Sequence, residues 1–434
     1  FISELIHSVQ AIIKTRNISA PLMMVKGDGS LVKAEIALQR PVETVISGPA
    51  ASVIGAHHLS KSPNSIVADM GGTTTDISIL NRGRLNISQQ ETVIGDWRPM
   101  IETIKLVSIG LGGDSEAHYQ GGHGLALGPR RVIPMSLLAY HYPQVLELLT
   151  AQISQTPTSR TNRFALPLHA SKTQLENFSQ PELEVWEMLK EGPLEMEALT
   201  LKCRQHVKAI AALMRRGAVI YSGVTPSDAA HVLEYTKHWS KDAAKLAVDL
   251  WIKQMRHVYG WQKCTPGDTQ QAAELIHKEV IRRITEAIIQ AALTVNHRTR
   301  KSFRARNISK TIADLVIEQQ EKGTELFSIN FLDNIRLVAV GAPAHIYYRE
   351  VSKNLGIPVD IPPNAQVANA VGAVVGTVIQ RTSTTISQPG HGLYRVHACD
   401  KIHLYVFFFF FFWVAPRSTP PQQGGGFSYY YKLQ

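Results

Sequence analysis

The sequence predicts an α/β fold that carries a large helical insertion, and three patterns lead to this prediction. Apolar and β-branched runs at 66–68, 77–79 and 106–109 flank glycine-rich connections, which is typical of strands and tight turns. A further strand-like run at 338–340 is followed by a glycine and by a helical pattern over 344–355. Between these segments, apolar residues recur every four positions along one face of a long predicted helix, namely Ile276, Val280, Ile284 and Ile288.

The N-terminal part contains two further predicted helices. Residues 1–14 carry apolar positions at helical spacing, without the small-residue cleavage site of a signal peptide. Because the chain starts at Phe1, we interpret this segment as a mid-protein helix and expect a missing N-terminus. Ser47-Gly48-Pro49 is predicted to be a turn that leads into a helix of small residues over 50–59, which could pack closely against a sheet.

The composition indicates a globular protein and excludes a fibre or a disordered chain. With 434 residues, of which 44% are hydrophobic, the chain can bury a large core and should hold two or three domains. The 45 Lys and Arg against 35 Asp and Glu give a net charge of +10, which favours acidic small ligands or nucleic acid in a general way. The cysteines Cys203, Cys264 and Cys399 form no CxxC pair, so we expect a reducing, cytoplasmic location.

The C-terminal segment 401–434 is atypical. Its run LYVFFFFFFWVAP is about a dozen apolar residues long, short of the roughly 20 that a membrane-spanning helix needs. Six consecutive phenylalanines follow neither the strand period nor the helix period. We interpret the tail as a non-native gene end, with membrane or partner anchoring as the alternative, and we expect no membrane association.

The stretch IVADMGGTTTDISI at 66–79 predicts a β-hairpin whose connection runs from Met70 to Thr75. Adjacent Gly71 and Gly72 allow positive φ and let backbone N–H groups approach a ligand, while Thr73, Thr74 and Thr75 add neutral donors. Such a tip suits phosphate oxygens. Asp69 and Asp76 bracket it and are candidates to hold Mg²⁺ or to orient an attacking water.

A plain hairpin explains the same residues without any ligand. In that interpretation Gly71-Gly72 is turn chemistry and the two acids cap the turn. The hairpin alone leaves both interpretations open.

A second glycine turn, at 110–115, follows the strand-like run at 106–109. Asp114 in this turn is either a contact to a cation or substrate amide, or a turn residue that bonds its own backbone. The nearby His118 and His123 are weak candidates for a metal site with Asp114, because their spacing matches no zinc pattern.

The middle of the chain is mainly helical. Residues 182–221 predict a helix, a Gly-Pro break, a short helix, a longer helix and then a strand, an order that resembles a winged helix with Lys208, Arg215 and Arg216 available to phosphates. Glutamates upstream on the same face argue against DNA binding, so we favour a structural insert. Helices are predicted to continue through 227–259 and 270–293, and TPSDA is predicted to begin the first of them as a capping box of Thr225 and Asp228.

Four stretches together resemble the hydantoinase A / 5-oxoprolinase family, in the family's order: SGPAAS at 47–52, DMGGTTTD at 69–76, GGDS at 112–115 and TPSDA at 225–229. The resemblance covers about residues 20–380. It implies an actin-like ATPase core of the ribonuclease H-like kind.

The resemblance also implies roles for individual residues. DMGGTTTD would be the second phosphate-binding hairpin, with Asp69 and Asp76 serving the metal or the attacking water. Gly341 would approach the adenosine, at the end of the strand 338–340. Gly112 and Gly113 would complete the cofactor-binding set formed by Gly71, Gly72, Thr73, Thr74, Thr75 and Gly341. The chain has Val340-Gly341-Ala342 where the family usually has paired glycines, and the family's first phosphate hairpin would lie upstream of Phe1.

The implied function is an ATP-dependent hydrolase subunit that phosphorylates a cyclic amide of the hydantoin or 5-oxoproline type, with ATP and Mg²⁺ as cofactors. An ATP-dependent ketone carboxylase subunit, a nucleotide-binding regulator and an inactive fragment are the alternatives. A second, hydantoinase B-like subunit and a homo-oligomer are the expected partners, without DNA or membrane.

Loop composition predicts domain boundaries near 150 and 330. Residues 1–150 would form the core with the hairpin, and 151–330 the helical insertion. The chain would return to the core over 331–385 with the adenosine-side loop, and 386–434 would be a disordered or spurious tail.

Overall fold

A computed structural model describes residues 2–88, 101–168, 170, 172–294, 302–323, 328–379, 385–390, 393–397 and 402–406. The helices are α1 (Ile2–Thr15), α2 (Ala34–Gln39), α3 (Ser47–Ser60), α4 (Met135–His141), α5 (Gln144–Ile153), α6 (Lys172–Glu176), α7 (Gln180–Glu191), α8 (Met196–Lys202), α9 (Arg204–Arg215), α10 (Pro226–Val232), α11 (Lys241–Tyr259), α12 (Thr269–Thr294), α13 (Ser302–Lys322), α14 (Ala344–Leu355) and α15 (Ala368–Val375).

The strands alternate with these helices in a mixed α/β arrangement. They are β1 (Met23–Val25), β2 (Leu31–Lys33), β3 (Ser65–Met70), β4 (Thr75–Asn81), β5 (Arg84–Leu85), β6 (Ile87–Ser88), β7 (Thr103–Ile104), β8 (Leu106–Ile109), β9 (Ser115–Tyr119), β10 (Leu125–Arg131), β11 (Ile133–Pro134), β12 (Phe164–Pro167), β13 (Leu194–Glu195), β14 (Val219–Gly223), β15 (Arg336–Val340), β16 (Val359–Asp360), β17 (Thr385–Gly390), β18 (Leu393–His397) and β19 (Ile402–Val406).

The central sheet has the order β16-β15-β3-β4, with β5 and β8 both pairing with β4. The strands β3 and β4 form the predicted antiparallel hairpin, in which Asp69 lies opposite Asp76 and Met70 opposite Thr75. Parallel pairing places β15 on the other side of β3, with Val340 beside Asp69. The end of β15 and the tip of the hairpin therefore lie at the same edge of the sheet.

Helices cover both faces of this sheet, which explains why β3 is apolar along most of its length. Val67 and Val340 face α3, where they pack with Val53. Ile66 and Ile77 face the opposite side and belong to the large cluster that includes apolar residues of α10, α11, α12 and α14. Asp69 follows Val67 on the α3 side, because alternate residues of a strand share a face.

The helices α3 and α15 cross at very short distance. A Cβ built on Gly55 of α3 would collide with the backbone of Ala368, and a Cβ built on Gly372 of α15 would collide with the backbone of Ala51. The small residues of α3 therefore permit a contact that larger side chains would block. This is the close packing that the sequence predicted for the helix, here against α15 as well as the sheet.

A second hydrophobic cluster lies in the middle of the chain. Trp186 of α7, Leu199 of α8 and Ile210 of α9 pack in it with Ala165 of β12 and Val219 of β14. The predicted succession of helix, break, short helix, longer helix and strand is present. The actin-like core, the winged-helix-like insert and the domain boundaries remain predictions.

Three segments differ from their predictions. Ser47-Gly48-Pro49 is the first turn of α3 instead of a turn before it, because a proline is tolerated in a helix's first turn. The helix predicted over 227–259 is interrupted at 233–240, where Ser240 caps the start of α11 by accepting a hydrogen bond from the Ala243 N–H.

The C-terminal prediction differs too. The strands β17, β18 and β19 form an antiparallel sheet in part of the tail that was predicted to be disordered or spurious, and their register pairs Tyr394 with Tyr405 and Val396 with His403. Aromatic and β-branched residues favour strands, which explains the difference. That the tail is a non-native gene end stays a prediction. Residues 407–434, including the phenylalanine run, lie outside the described residues. Within the described ranges, every helix is too short or too polar to cross a bilayer.

Candidate active site

The hairpin places two carboxylates side by side at one edge of the central sheet. Asp69 ends β3 and Asp76 begins β4, and the two residues are directly opposite each other in the antiparallel register. Directly opposed residues point to the same face, with Cβ atoms about 5 Å apart. Both side chains are half-buried.

Burial raises the pKa of both carboxyl groups above their ordinary value. The Ser52 side chain hydrogen-bonds Asp69, and those of Ser108 and Thr74 hydrogen-bond Asp76, which lowers each pKa by less than burial raises it. The charge of Asp69 raises the pKa of Asp76 further. The pair therefore resists carrying two negative charges at once, and a cation between the carboxylates would relieve this.

The backbone of the hairpin tip is held by the second glycine turn. The N–H of Gly113 donates to the Gly71 carbonyl at 3.1 Å, and the N–H of Asp114 donates to the Gly72 carbonyl at 2.8 Å. A Cβ on Gly112 would collide with the peptide between Gly72 and Thr73. The two glycine-rich stretches are therefore packed against each other, and Gly112 is needed for that contact.

Positive φ is not the reason for the paired glycines of the tip, contrary to the expectation from the sequence. Gly71 and Gly72 both have backbone φ values outside the left-handed region. A Cβ on Gly72 would lie 2.6 Å from a carboxylate oxygen of Asp114. A side chain at Gly72 is excluded by that neighbour, while Gly71 has open space around it.

The three consecutive threonines have different surroundings. Thr75 is fully buried, and its hydroxyl donates to the Leu111 carbonyl at 2.7 Å. The Thr74 hydroxyl donates to Asp76 at 3.3 Å. Thr73 is exposed at the tip. Of the three hydroxyls, that of Thr73 is the one placed to meet a ligand from solvent.

Gly341 brings the end of β15 against the hairpin. Its φ is +97°, a conformation that favours glycine, and a Cβ would meet the Met70 carbonyl and lie 2.8 Å from the Asp69 carboxylate. The N-terminus of α14 follows at Ala344. Because Ser52 in α3 reaches Asp69, the N-terminal half of α3 lies at this edge too. Helix N-termini attract anions through their free N–H groups and dipoles.

Asp114 forms an ion pair with Arg131 across the β9–β10 ribbon, with both guanidinium contacts at 3.1 Å. Burial raises the pKa of Asp114, and Arg131 acts in the opposite direction. The His118 ring contacts the Glu116 carbonyl, and the side chain of His123 lies outside the described residues. In the part of the chain that the structure describes, no three His, Cys, Asp or Glu side chains gather as a metal site.

The TPSDA stretch forms the predicted capping box, and Asp228 also has a wider structural role. Its buried carboxylate accepts hydrogen bonds from the Thr225 N–H and hydroxyl at the start of α10. It also accepts from the N–H groups of Met135 and Ser136 and from the Ser136 hydroxyl at the start of α4. Ser227 anchors the second glycine turn by donating to the Gly113 carbonyl. TPSDA thus supports the turn that holds the hairpin tip.

The donor set at the edge suits a magnesium ion. Mg²⁺ in proteins is commonly held by one or two carboxylates, with waters and phosphate oxygens completing its coordination. Asp69 and Asp76 supply two carboxylates, and the hydroxyls beside them are hard oxygen donors as well. The residues present therefore fit a magnesium ion that is shared with a phosphate ligand.

Comparison with known proteins gives a family match for the N-terminal third of the chain. Residues 1–141 match the hydantoinase/oxoprolinase family model. This confirms the resemblance inferred from the sequence. The matched segment contains the hairpin with Asp69 and Asp76 and the second glycine turn. It ends before TPSDA and Gly341.

Parts of the chain are also similar to individual proteins. A segment of 128 residues is 28% identical to caprolactamase subunit alpha of Pseudomonas jessenii, covering 29% of this chain and 18% of that protein. Among solved structures, the crystal structure of the ATP-dependent caprolactamase from Pseudomonas jessenii aligns with a TM-score of 0.49 at 16% identity, covering 88% of this chain and 40% of that chain.

A nucleotide-free acetone carboxylase structure, from work on ATP-dependent acetone carboxylation, aligns with a TM-score of 0.48 at 14% identity. It covers 88% of this chain and 39% of the other. The chain thus spans well under two thirds of each relative, so their activities, substrates and partners apply to it only as proposals.

Sequence reasoning missed three side chains that lie around the hairpin. Ser52 and Ser108 hydrogen-bond the two aspartates, and Arg131 pairs with Asp114. Ser52 carries a usable signal, because it ends the SGPAAS stretch that helped to identify the family. Ser108 and Arg131 lie in ordinary strand sequence, and only the register of β4 with β8 and of β9 with β10 brings them to the site.

Proposed function

We propose that this chain is the nucleotide-binding part of an ATP-dependent enzyme that opens a cyclic amide by phosphorylating its carbonyl oxygen. The observation that carries the proposal is the meeting of Asp69, Asp76 and Gly341 at one sheet edge, where α3 and α14 also begin. The family match of residues 1–141 and the ATP-dependent caprolactamase among the relatives support the same class of reaction.

In this proposal the sheet edge binds the phosphates of ATP. Asp69 and Asp76 would hold Mg²⁺, which would supply neutralisation of the phosphate charge. Thr73 and the N–H groups at the two helix starts would contact phosphate oxygens, and Gly341 would let the end of β15 pack closely against Met70 and Asp69 on the nucleoside side of the site. Thr75, Gly112 and Gly113 keep the tip in place through the contacts described above. Phosphoryl transfer needs little more than such positioning and charge neutralisation.

Transfer of the γ-phosphoryl group to the amide oxygen releases ADP. It also removes the ordinary amide resonance that protects the C–N bond, so that the carbon can be attacked by water. Water then adds to the carbon and the C–N bond breaks with a proton passing to the nitrogen, which leaves an acyl phosphate. A second water attacks the acyl carbon, and phosphate leaves with the former carbonyl oxygen. A partner subunit of the hydantoinase B-like kind would complete the active site, as the caprolactamase relative's designation as subunit alpha suggests. We place the enzyme in the cytoplasm and expect a homo-oligomer.

Calorimetric titration with ATP tests the nucleotide site. We expect ATP binding that depends on Mg²⁺. Asp69→Asn should weaken this binding about tenfold or more, the scale of one charge-assisted contact. Asp333→Asn makes the same chemical change at an exposed position and should bind like the wild type. Binding that depends on neither Mg²⁺ nor Asp69 would refute the site.

The choice of substrate separates the two enzymatic proposals. If cyclic amides are substrates, hydantoin or 5-oxoproline should stimulate ATP turnover in the presence of the partner subunit. Stimulation by acetone with bicarbonate, and by neither amide, would favour the ketone carboxylase. A regulator that binds DNA is not favoured, because Arg216 already pairs with Glu182, donates to the Asn177 carbonyl and lies over the Phe178 ring.

A further inference from the structure

A cavity of about 540 Å³ opens beside the second glycine turn, between the β9–β10 ribbon and α11. This volume is in the range of small-molecule sites. The charged side chains that line it are Glu116, Arg130 and Arg163. Glu116 is buried, Arg163 is partly buried, and the Arg130 side chain is 56% exposed at the mouth.

The cavity carries an excess of positive charge. Both oxygens of Glu116 are engaged, one by Arg163 and the other by Arg130 at 3.2 Å. Two guanidinium groups share this single carboxylate, and the remaining lining residues include no further acid. Each guanidinium has five N–H donors, so both retain donors after binding Glu116. A partly enclosed cation with free donors favours an anionic ligand, above all a carboxylate that can accept two parallel bonds.

The other walls fit the body of a small ring. The rings of Tyr119 and Tyr259 stack at 5.3 Å between centroids and line the cavity beside Met255. Flat aromatic and thioether surfaces bind apolar ring atoms well. An inorganic phosphate would use the guanidinium groups and leave these walls without contact.

The cavity is also close to the proposed nucleotide site. Glu116 lies two residues after Asp114, whose backbone N–H donates to the Gly72 carbonyl at the hairpin tip at 2.8 Å. The short segment 114–116 therefore links the cavity to the hairpin, and in the proposed function the phosphoryl acceptor would occupy this cavity.

We propose that this cavity selects the substrate, and that the substrate is a cyclic amide bearing a carboxylate instead of a neutral lactam. Arg130 and Arg163 bind the carboxylate, and the tyrosine pair contacts the ring. The identity of the ligand as the phosphoryl acceptor rests on the proposed function, whereas its binding to the cavity does not.

A matched pair of probes tests the charge preference. 5-Oxoproline and 2-pyrrolidinone share the same lactam ring and differ by one carboxylate. Titration calorimetry without nucleotide should show 5-oxoproline binding at least about tenfold more tightly, the scale of one charge-assisted hydrogen bond. Inorganic phosphate and acetate are titrated in the same way as two further probes. Equal affinity for the two lactams, tighter binding of phosphate, or acetate binding as tightly as 5-oxoproline would overturn the proposal.

Substitutions locate the binding to the cavity. Arg130→Gln should lower the affinity for 5-oxoproline about tenfold and leave the affinity for 2-pyrrolidinone unchanged. Arg163→Lys keeps the positive charge but loses the planar guanidinium that can donate two parallel hydrogen bonds to a carboxylate. This variant should also lower the affinity for 5-oxoproline. Arg40→Gln changes an exposed arginine far along the chain and serves as the control. If the arginines only support the fold, Arg130→Gln will lower thermal stability without changing 5-oxoproline affinity, which contradicts the proposal.

The two proposals can fail separately. Loss of ATP binding with intact 5-oxoproline binding would remove the nucleotide site and keep the cavity. The reverse result would remove the cavity as the acceptor site and keep the nucleotide site.

Discussion

Neutralising either aspartate of the hairpin should make the metal-free protein more stable, although it removes a charge from the proposed active site. We consider Asp69→Asn and Asp76→Asn. Each variant keeps the size of the side chain and an oxygen that accepts from the neighbouring hydroxyl. What changes is the repulsion between two half-buried carboxylates that face each other across β3 and β4.

The size of the effect follows from Coulomb's law. Two charges about 5–6 Å apart at an effective dielectric constant of about 20 repel by about 3 kcal/mol, which is an upper figure because partial protonation relieves it. We therefore expect each variant to gain about 1–3 kcal/mol in free energy of unfolding at neutral pH. For a chain of 434 residues this corresponds to a shift of about 1–3 °C in a melting experiment.

The pH dependence has a definite sign. Because burial raises the folded-state pKa of both groups, the native state holds more protons than the unfolded state above the ordinary value of 3.8. The stability contributed by the protonated forms is complete below that value and is lost as the pH rises through the folded-state pKa. As the pH rises through the folded-state pKa values, the free energy of unfolding should fall less in the Asn variants than in the wild type.

Thermal unfolding with EDTA and with excess Mg²⁺ is the assay. We expect Mg²⁺ to stabilise the wild type and to have little effect on either variant, so that the order of stability reverses when the metal is added. Asp333→Asn should follow the wild type in both conditions. The reasoning is refuted if Asp69→Asn and Asp76→Asn are destabilised in EDTA, or if Mg²⁺ stabilises them as strongly as the wild type.

The remaining predictions concern the scaffold around the hairpin. Asp228→Asn should cost about 3 kcal/mol by chemical denaturation, because a buried amide cannot accept all the hydrogen bonds that this carboxylate receives. Thr75→Val should cost about 1–3 kcal/mol in the same measurement, by leaving a buried carbonyl without its donor, whereas a phosphate-binding role would lower ATP affinity without this loss. Gly55→Ala should lower the melting temperature strongly by separating α3 from α15, whereas Gly48→Ala in the same helix, with nothing within 4 Å of its new Cβ, should be tolerated.

The local structure of the central elements could be predicted from the sequence because each one is specified by nearby residues. The helix predicted over 344–355 matches α14, since Gly341 and Pro343 mark its start and Gly356 ends it in a left-handed conformation. The strand-like run at 106–109 matches β8. The break at 233–240 was missed, because the contact between the Trp239 N–H and the His231 ring that helps to shape it is a tertiary feature.

The candidate site was only partly predictable for the same reason. The hairpin pattern and the family resemblance identified the two aspartates and the glycines, and they gave the paired glycines of the tip either a role in ligand approach or a role in the turn. The structure gives Gly72 and Gly112 a packing reason as well, since one accommodates Asp114 and the other contacts the Gly72–Thr73 peptide. This packing requirement arises from the contact between two loops that are distant in sequence, and the pattern of residues within either loop does not predict it.

The difference between the three threonines shows what such packing implies for function. Three identical side chains in a row look like three equivalent ligand donors, yet only Thr75 lies in β4, whereas Thr73 and Thr74 belong to the connection. Thr75 points into the core and bonds Leu111, while Thr73 remains exposed. The stretch DMGGTTTD resembles a phosphate-binding motif, yet some of its side chains stabilise the hairpin and others are free to contact a ligand. The carboxylates of Asp69 and Asp76 belong to the second kind, because the fold leaves them half-buried and without a cationic partner among the interactions that shift their pKa values.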